Sequence, residues 1–230
     1  MLTGMAGRDK AARDEFEAAL EAHAARYGVQ LSAPGRRALG DYFELVRAWS
    51  PRLHLVAPCS PAEFATRHAL ESLLLVAHLS FAARVLDVGS GAGLPLIPCL
   101  ILRPDLRATL IEASAKKAVF LREALRRLER HETARVVAAR FETIRAPEAE
   151  YVTCRALERF AGMLPRLIAW SPAAATLLLF GGPSLRARLD EAALQPHVIR
   201  VPESARRFLF VINRSIVNGQ SPDASQRAGG

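Results

Sequence analysis

The segment Val85-Leu86-Asp87-Val88-Gly89-Ser90-Gly91-Ala92-Gly93-Leu94-Pro95 concentrates residues that could do chemistry. An apolar run ends in a carboxylate, three glycines follow at alternate positions, and a fresh apolar run begins. That order predicts a strand, a tight loop and a helix. Glycine lets the backbone turn sharply and lets a ligand approach with no Cβ in the way. The start of the next helix offers unpaired N–H groups. Asp87, Gly89, Gly91, Gly93 and Leu94 are therefore candidate contacts for a nucleotide-like cofactor.

Spacing narrows the choice of cofactor. A dinucleotide loop carries its third glycine one place later, where this chain has Leu94. A phosphate-binding loop would end in Gly-Lys-Ser/Thr, which is absent. Gly-x-Gly-x-Gly behind an acid resembles the first motif of S-adenosylmethionine-dependent methyltransferases. A plain structural turn is the bland alternative. The run Ala108-Thr109-Leu110-Ile111-Glu112 adds a second strand ending in a carboxylate, 19 residues beyond Gly93. An acid about 20 residues past the loop can bind ribose hydroxyls, and a carboxylate accepts enough hydrogen bonds to suit a vicinal diol. Otherwise Glu112 is a solvated strand-end side chain.

The elements that must position these groups follow from the texture of the chain. Its 230 residues are 50% hydrophobic, enough for one α/β domain with a helical extension. Residues 1–80 read as helical: 13–27 stopped by Gly28, 34–49 with Leu39, Phe43 and Val46 on one face, and a third helix capped by Ser60 with Pro61 and Glu63 in its first turn. From Arg84 the pattern alternates. Strands are expected near 84–88, 108–112, 135–139, 151–155 and 175–180, with helices near 94–103, 115–130, 158–169 and 184–193. This predicts an α/β fold with a mostly parallel sheet and helices on both faces. The runs 197–201 and 207–212 could close it as an antiparallel hairpin. The methyltransferase-like domain would span 81–212, and the polar residues 213–230 would form a disordered tail. In such a sheet ligands lie beyond the carboxyl ends of the strands. Asp87 to Gly93, Glu112, Arg140 to Glu142 and Arg155 all fall there.

Charge and cysteine usage bound the partners. The formal net charge is +8, nearly all of the positive charge from arginine. A basic balance points toward an acidic partner such as nucleic acid, although Arg-rich composition can also reflect genomic bias. No apolar run is long enough to span a bilayer, and residues 1–13 have no secretory apolar core. The expectation is a cytoplasmic protein with no membrane partner. Cys59, Cys99 and Cys154 are scattered and form no metal-ligand pattern.

Taken together, the motifs resemble the glucose-inhibited division protein B family, bacterial methyltransferases of N7 of a guanine in 16S ribosomal RNA. The resemblance covers about residues 34–212. Its core is Asp87-Val88-Gly89-Ser90-Gly91-Ala92-Gly93-Leu94-Pro95-Leu96-Ile97-Pro98, followed by Arg103-Pro104. Arg67-His68-x-Leu70-Glu71-Ser72 is similar to an upstream Arg-His-x-Leu-Asp-Ser. Lys116-Lys117, Phe120-Leu121, Arg140-Phe141-Glu142 and Cys154-Arg155-Ala156 match further marks in order. Departures are His54-Leu55 for Asn-Leu, Glu112 where many members have Asp, and Phe180-Gly181-Gly182 where members usually carry Lys-Gly.

The resemblance implies a Rossmann-like class I methyltransferase, S-adenosylmethionine as cofactor, and small-subunit ribosomal RNA or the ribosomal subunit as partner of a monomer. It implies that Gly89 and Leu94 line the cofactor site and that the backbone at Phe141 and Glu142 meets the adenine. Phe141 could equally be core packing. Arg155 is expected at the reactive end, holding the methionine carboxylate or an RNA phosphate. His68 could touch the base or be a satisfied buried histidine. Glu71 could pair with Arg67 at i,i+4. Arg122, Arg126 and Arg130 form a stripe that could track RNA or be a solvated face. The alternatives kept open are a methyltransferase for a protein or small molecule, and a non-catalytic RNA-binding protein on the same fold.

Overall fold

The computed structural model describes residues 2–155 and 162–214, with side chains from 7 onward except that of residue 8. Helix α1 (Leu2–His23) passes through a 3-10 turn, Ala24–Tyr27, and stops at Gly28 in the left-handed region at φ 68°. It starts well before the expected residue 13. Helix α2 (Ala33–Leu53) is capped by Ser32, whose Oγ accepts the Gly35 N–H at 3.1 Å. Leu39, Phe43 and Val46 are buried as their spacing implied.

The third helical segment, α3, is irregular. It is α over Pro61–Phe64, π over Ala65–Leu70, α over Glu71–Leu73 and 3-10 over Leu74–His78. The Ser60 Oγ accepts the Glu63 N–H at 3.0 Å as expected of its cap. The Glu63 carboxylate pairs with Arg67, so Arg67 is not the partner of Glu71. Phe16, Phe43 and Phe64 knit α1, α2 and α3 together, with Phe16 stacked on Phe43 at 4.5 Å.

Seven strands form one sheet: β1 (Arg84–Val88), β2 (Arg107–Ile111), β3 (Ala134–Val137), β4 (Tyr151–Cys154), β5 (Thr176–Gly181), β6 (His197–Arg200) and β7 (Phe208–Ile212). Their order is β3-β2-β1-β4-β5-β7-β6. The first five pair in parallel, and β7 enters antiparallel between β5 and β6. The helices between strands are α4 (Leu96–Leu102), α5 (Ala115–Arg127), α6 (Leu164–Trp170) and α7 (Pro183–Glu191). The start expected for the helix near 158, and the tail from 215 on, lie outside the described residues.

Side chains alternate across each strand, which splits the core in two. Val85, Leu110, Leu178 and Phe180 join the aromatic cluster of α1, α2 and α3. Leu86, Ile111, Val152, Leu177 and Leu179 pack with α6 and α7 on the opposite face. Phe180, at the position where the resembled family carries lysine, is 2% exposed and is a core residue. The helical N-terminal residues thus share one apolar core with the sheet. Strand order reverses between β1 and β4, and in open α/β sheets ligands bind at that switch point.

Candidate functional site

The glycine loop leaves β1 at this switch point. Gly89, Gly91 and Gly93 have φ of 74°, 55° and 87°. Positive φ is open to glycine and strained for other residues. The three glycines nonetheless serve different purposes. A Cβ on Gly89 would meet nothing within 4 Å, so the backbone there borders open space. A Cβ on Gly93 would lie 2.3 Å from Cδ1 of Ile97, so that glycine is required for packing against α4. The loop is fastened by Gly89 N–H to Ile111 O at 2.9 Å and by Ser90 Oγ–H to Asp87 O at 3.0 Å. Leu94 is 8% exposed, with its side chain in the core.

Glu112 closes the loop from the neighbouring strand. Its Oε2 accepts the Gly91 N–H at 2.8 Å and its Oε1 accepts the Ser114 N–H at 2.7 Å. Each oxygen keeps a further lone pair for hydroxyl donors. Asp87 is fully buried, and neither of its carboxylate oxygens has a hydrogen-bond partner. Burial pushes its carboxyl up to about 8, Ser90 pulls against that, and nearby Glu112 adds to it. Thr153, its register partner on β4, also carries an unpartnered buried hydroxyl. Tyr42 of α2 closes the floor, donating to Ala92 O at 2.8 Å. Buried polar groups without partners are rare in folded proteins. An open cradle at Gly89, orphan oxygens on Asp87 and an acceptor pair on Glu112 suit a polar, cationic, ribose-bearing molecule.

Beyond β4 the chain presents Arg155. One Nη donates to Arg67 O and to His68 Nδ1, the latter at 3.0 Å, and lies 3.4 Å from the Glu71 carboxylate. Glu71 is 2% exposed and also pairs with Arg207, which arrives from the start of β7. The second Nη of Arg155 is buried without a partner among the described residues. Burial lowers the Arg155 guanidinium below its usual range, with Glu71 opposing. Burial raises the Glu71 carboxyl, and the guanidiniums of Arg155 and Arg207 oppose. His68 is driven down to about 3 by burial and then by Arg155, Arg67 and Arg207. It is therefore neutral. Because Nδ1 accepts from Arg155, the proton sits on Nε2. The π turn of α3 carries both Arg67 and His68 to this point, as π-helical turns often do at functional sites.

The structure thus gathers Asp87, Gly89, Gly91, Glu112, His68 and Arg155 at the ends of β1, β2 and β4. The Phe141 ring meets the edge of Trp170 at 5.3 Å and packs on the core face of α6, while its backbone follows the end of β3. Glu142 is exposed in the same 3-10 turn, Phe141–Thr143. The arginine stripe on α5 is spent locally. Arg126 and Arg127 pair with Glu123, Arg122 donates to Val136 O, and Arg130 donates to Leu100 O at 2.9 Å. Tyr42, Thr153 and Arg207 were not singled out in the sequence. Tyr42 lies beside the apolar face of Leu39, Phe43 and Val46, and Arg207 is one of many arginines in the chain, so spacing alone does not mark either. Among the described residues no group of His, Cys, Asp and Glu could hold a metal ion.

The family described as rRNA small subunit methyltransferase G matches residues 36–195. A ribosomal RNA small subunit methyltransferase G of Xanthomonas axonopodis pv. citri is 40% identical over 160 residues, 68% of this chain and 72% of that one. The protein of the same name from Desulfotalea psychrophila is 34% identical over 170 residues, 72% and 78% of the two chains. Among solved structures, the chain is similar to an RNA methyltransferase from Salinibacter ruber in complex with S-adenosyl-L-homocysteine. That match has a TM-score of 0.52 at 14% identity and covers 73% of this chain and 97% of the other. It is also similar to a SAM-dependent methyltransferase from Aquifex aeolicus, with a TM-score of 0.51 at 16% identity over 65% and 92%. At such identities these two structures speak for the fold alone.

Proposed function

The chain belongs to the rRNA small subunit methyltransferase G family, and from that premise we propose a residue-level reading of its reaction. It is an S-adenosylmethionine-dependent methyltransferase that methylates N7 of a guanine in 16S ribosomal RNA. The observation that carries the reading is the unpartnered Asp87 carboxyl beneath an open glycine loop, with the Arg155–His68 pair following the adjoining strand β4.

When bound, S-adenosylmethionine supplies an electrophilic methyl group on a cationic sulfur. Gly89 and Gly91 line its approach with bare backbone, with Gly93 and Leu94 shaping the loop behind them. Glu112 takes the ribose hydroxyls, and the Asp87 carboxyl lies beneath the loop, free to ionise when a cation binds beside it. The backbone at Phe141 and Glu142 borders the adenine. Its ring contact with Trp170 favours a packing role for the Phe141 side chain itself.

The acceptor needs little proton chemistry. N7 of neutral guanine has an available lone pair, so no base must deprotonate it before an in-line displacement. The ionisable groups of the crevice agree with this. His68, held down to about 3, is a poor base at neutral pH, and Asp87, pushed up to about 8, is mostly protonated there. What remains is placement, and orientation of two bound reactants can lower a barrier by about 7–11 kcal/mol. His68 and Arg155 are assigned to the acceptor side, with Arg155 also able to grip the methionine carboxylate through its fork.

The proposal extends to organisation: a helical extension over 1–80, a methyltransferase domain over 81–212, a monomer, and docking on the small ribosomal subunit in the cytoplasm. No helix among the described residues is long and apolar enough to cross a membrane. The test is methyl transfer from labelled S-adenosylmethionine to small-subunit ribosomal RNA from cells lacking this protein, with the base mapped. Label at N7 of one guanine is expected. Cofactor binding without any label in RNA would overturn the reading.

A further inference from the structure

The groups that Arg155 and His68 leave over are hydrogen-bond donors. The Glu71 carboxylate is engaged by Arg155 and by Arg207. The Glu63 carboxylate is engaged by Arg67. Nδ1 of His68 and the carbonyl of Arg67 are consumed by Arg155. Among the described residues each carboxylate of this cluster is paired with a guanidinium, Glu71 Oε2 meeting only the charge of Arg207. The donors left beside Arg155 include Nε2–H of His68, which makes no hydrogen bond among the described residues, and the buried second Nη of Arg155. The His68 ring is half-buried, and its position is fixed from two sides. Arg155 holds Nδ1, and the ring of Phe64 meets it edge-on at 5.1 Å.

A donor-only wall at the switch point of the sheet has a chemical meaning for a purine whose N7 is the nucleophile. On that edge guanine offers N7 and the O6 acceptor, whereas adenine offers N7 and the N6 amino donor. N7 must stay free for the incoming methyl, so the neighbouring substituent at carbon 6 is the atom left to read. A donor hydrogen-bonds to O6 and is opposed by the N–H groups of an amine. We infer that His68 is a specificity-determining residue that reads guanine O6 by donating from Nε2, its tautomer being set by the Arg155 bond to Nδ1. The inference rests on the guanine-N7 reading above.

The reader is neutral across the working range, because His68 titrates near 3. Discrimination should therefore not change between pH 6 and 9. Loss of this hydrogen bond should cost roughly 10- to 100-fold in rate, the usual scale for reading a base edge.

The test uses the full-length protein and small-subunit ribosomal RNA in which the mapped acceptor guanosine is replaced by inosine or by 2-aminopurine riboside. Both keep N7; inosine keeps O6, and 2-aminopurine lacks it. At saturating RNA, the wild-type protein should methylate guanosine and inosine at similar rates and 2-aminopurine at least tenfold more slowly. His68→Phe keeps the contact with Phe64 and removes the donor. It should slow guanosine and inosine to the 2-aminopurine rate while leaving cofactor affinity and melting temperature near wild type. His68→Gln, which can still donate, should restore part of the preference. Equal rates on inosine and 2-aminopurine with the wild-type protein would overturn the inference while leaving N7 methylation standing. So would an unchanged preference in a folded His68→Phe protein. Should His68→Phe fail to fold, the wild-type comparison and His68→Gln decide the matter. Absence of any N7 transfer to guanosine would overturn the underlying reading and this inference with it.

Discussion

Glu112 reaches across from the end of β2 to hold the backbone of Gly91, its Oε2 accepting the N–H at 2.8 Å. One carboxylate thereby fixes the loop and, through Ser114, the start of α5. Glu112→Gln keeps the shape but replaces one acceptor oxygen with an amino group facing an N–H donor. Cofactor affinity should fall about 10-fold or more, the scale of a lost charged hydrogen bond. Isothermal titration with S-adenosylmethionine checks this; an unchanged Kd would mean the loop holds without the charge.

Gly89 and Gly93 should separate binding from folding. Alanine at Gly93 would place its Cβ 2.3 Å from Ile97 at a φ of 87°. Overpacking and strain together should cost on the order of 3 kcal/mol. Trimming the neighbour, in Gly93→Ala with Ile97→Ala, should remove the clash and leave only strain and a smaller side chain. Alanine at Gly89 meets no neighbour within 4 Å and should cost less stability, but it intrudes where the ligand must approach. Thermal melts and cofactor titrations on the same variants give the comparison, and equal melting losses at the two sites would count against it.

Asp87 predicts an unusual pH dependence. Its carboxyl titrates near 8 in the folded chain, against an ordinary value of 3.8. Between those values the folded state binds more protons than the unfolded state, so stability falls as pH rises. Asp87→Asn removes this slope. Without cofactor, the variant should gain on the wild type from pH 5 to 8 and hold a constant lead above 9. The lead should be on the order of 5 °C in melting temperature. A lead that does not grow with pH would mean that Asp87 ionises normally.

Glu71 should matter more for stability than its surroundings of charge suggest. It is 2% exposed, and removing it strands two guanidiniums. Breaking a buried pair from one side typically costs about 3–5 kcal/mol, so Glu71→Ala should lower the denaturant midpoint strongly. Glu71→Ala combined with Arg207→Leu should recover part of the loss. No recovery in the double variant would mean the two residues act independently.

For RNA the informative lysines are Lys116 and Lys117, in the first turn of α5 beside the Glu112 loop. Replacing both by alanine should raise the KM for RNA and reduce the slope of its salt dependence by about 1–2. Replacing Arg126 and Arg127, which are committed to Glu123 at the far end of the helix, should change neither. Binding titrations at several salt concentrations distinguish the two pairs.

The parts of the fold written in local patterns were legible in the sequence. Alternating apolar runs gave β1 to β5 within a residue or two, and Ser60 and Gly28 marked helix ends because capping is a local matter. The glycine loop and Glu112 were legible because their spacing along the chain reflects neighbouring strands. The Arg155 cluster was only half legible. Arg67, His68, Glu71 and Arg155 stood out by motif, yet their partners did not follow from spacing. Helical geometry suggested Arg67 with Glu71, but Glu63 satisfied Arg67 and left Glu71 to Arg155 and Arg207. The partners of Arg122, Arg126 and Arg130 were not legible either, because periodicity reveals a shared face and not which carbonyls and carboxylates that face meets.

The insertion of β7 between β5 and β6 has a consequence for the order in which the protein becomes competent during synthesis. The loop, Glu112 and even Arg155 emerge well before residue 207, but Glu71 lacks one of its two cations until the final hairpin docks. A nascent chain that stops short of β7 carries every residue proposed to hold the cofactor, while Glu71 still lacks Arg207. The Glu71 pairing is therefore completed late in translation, when the last strand of the sheet brings in Arg207.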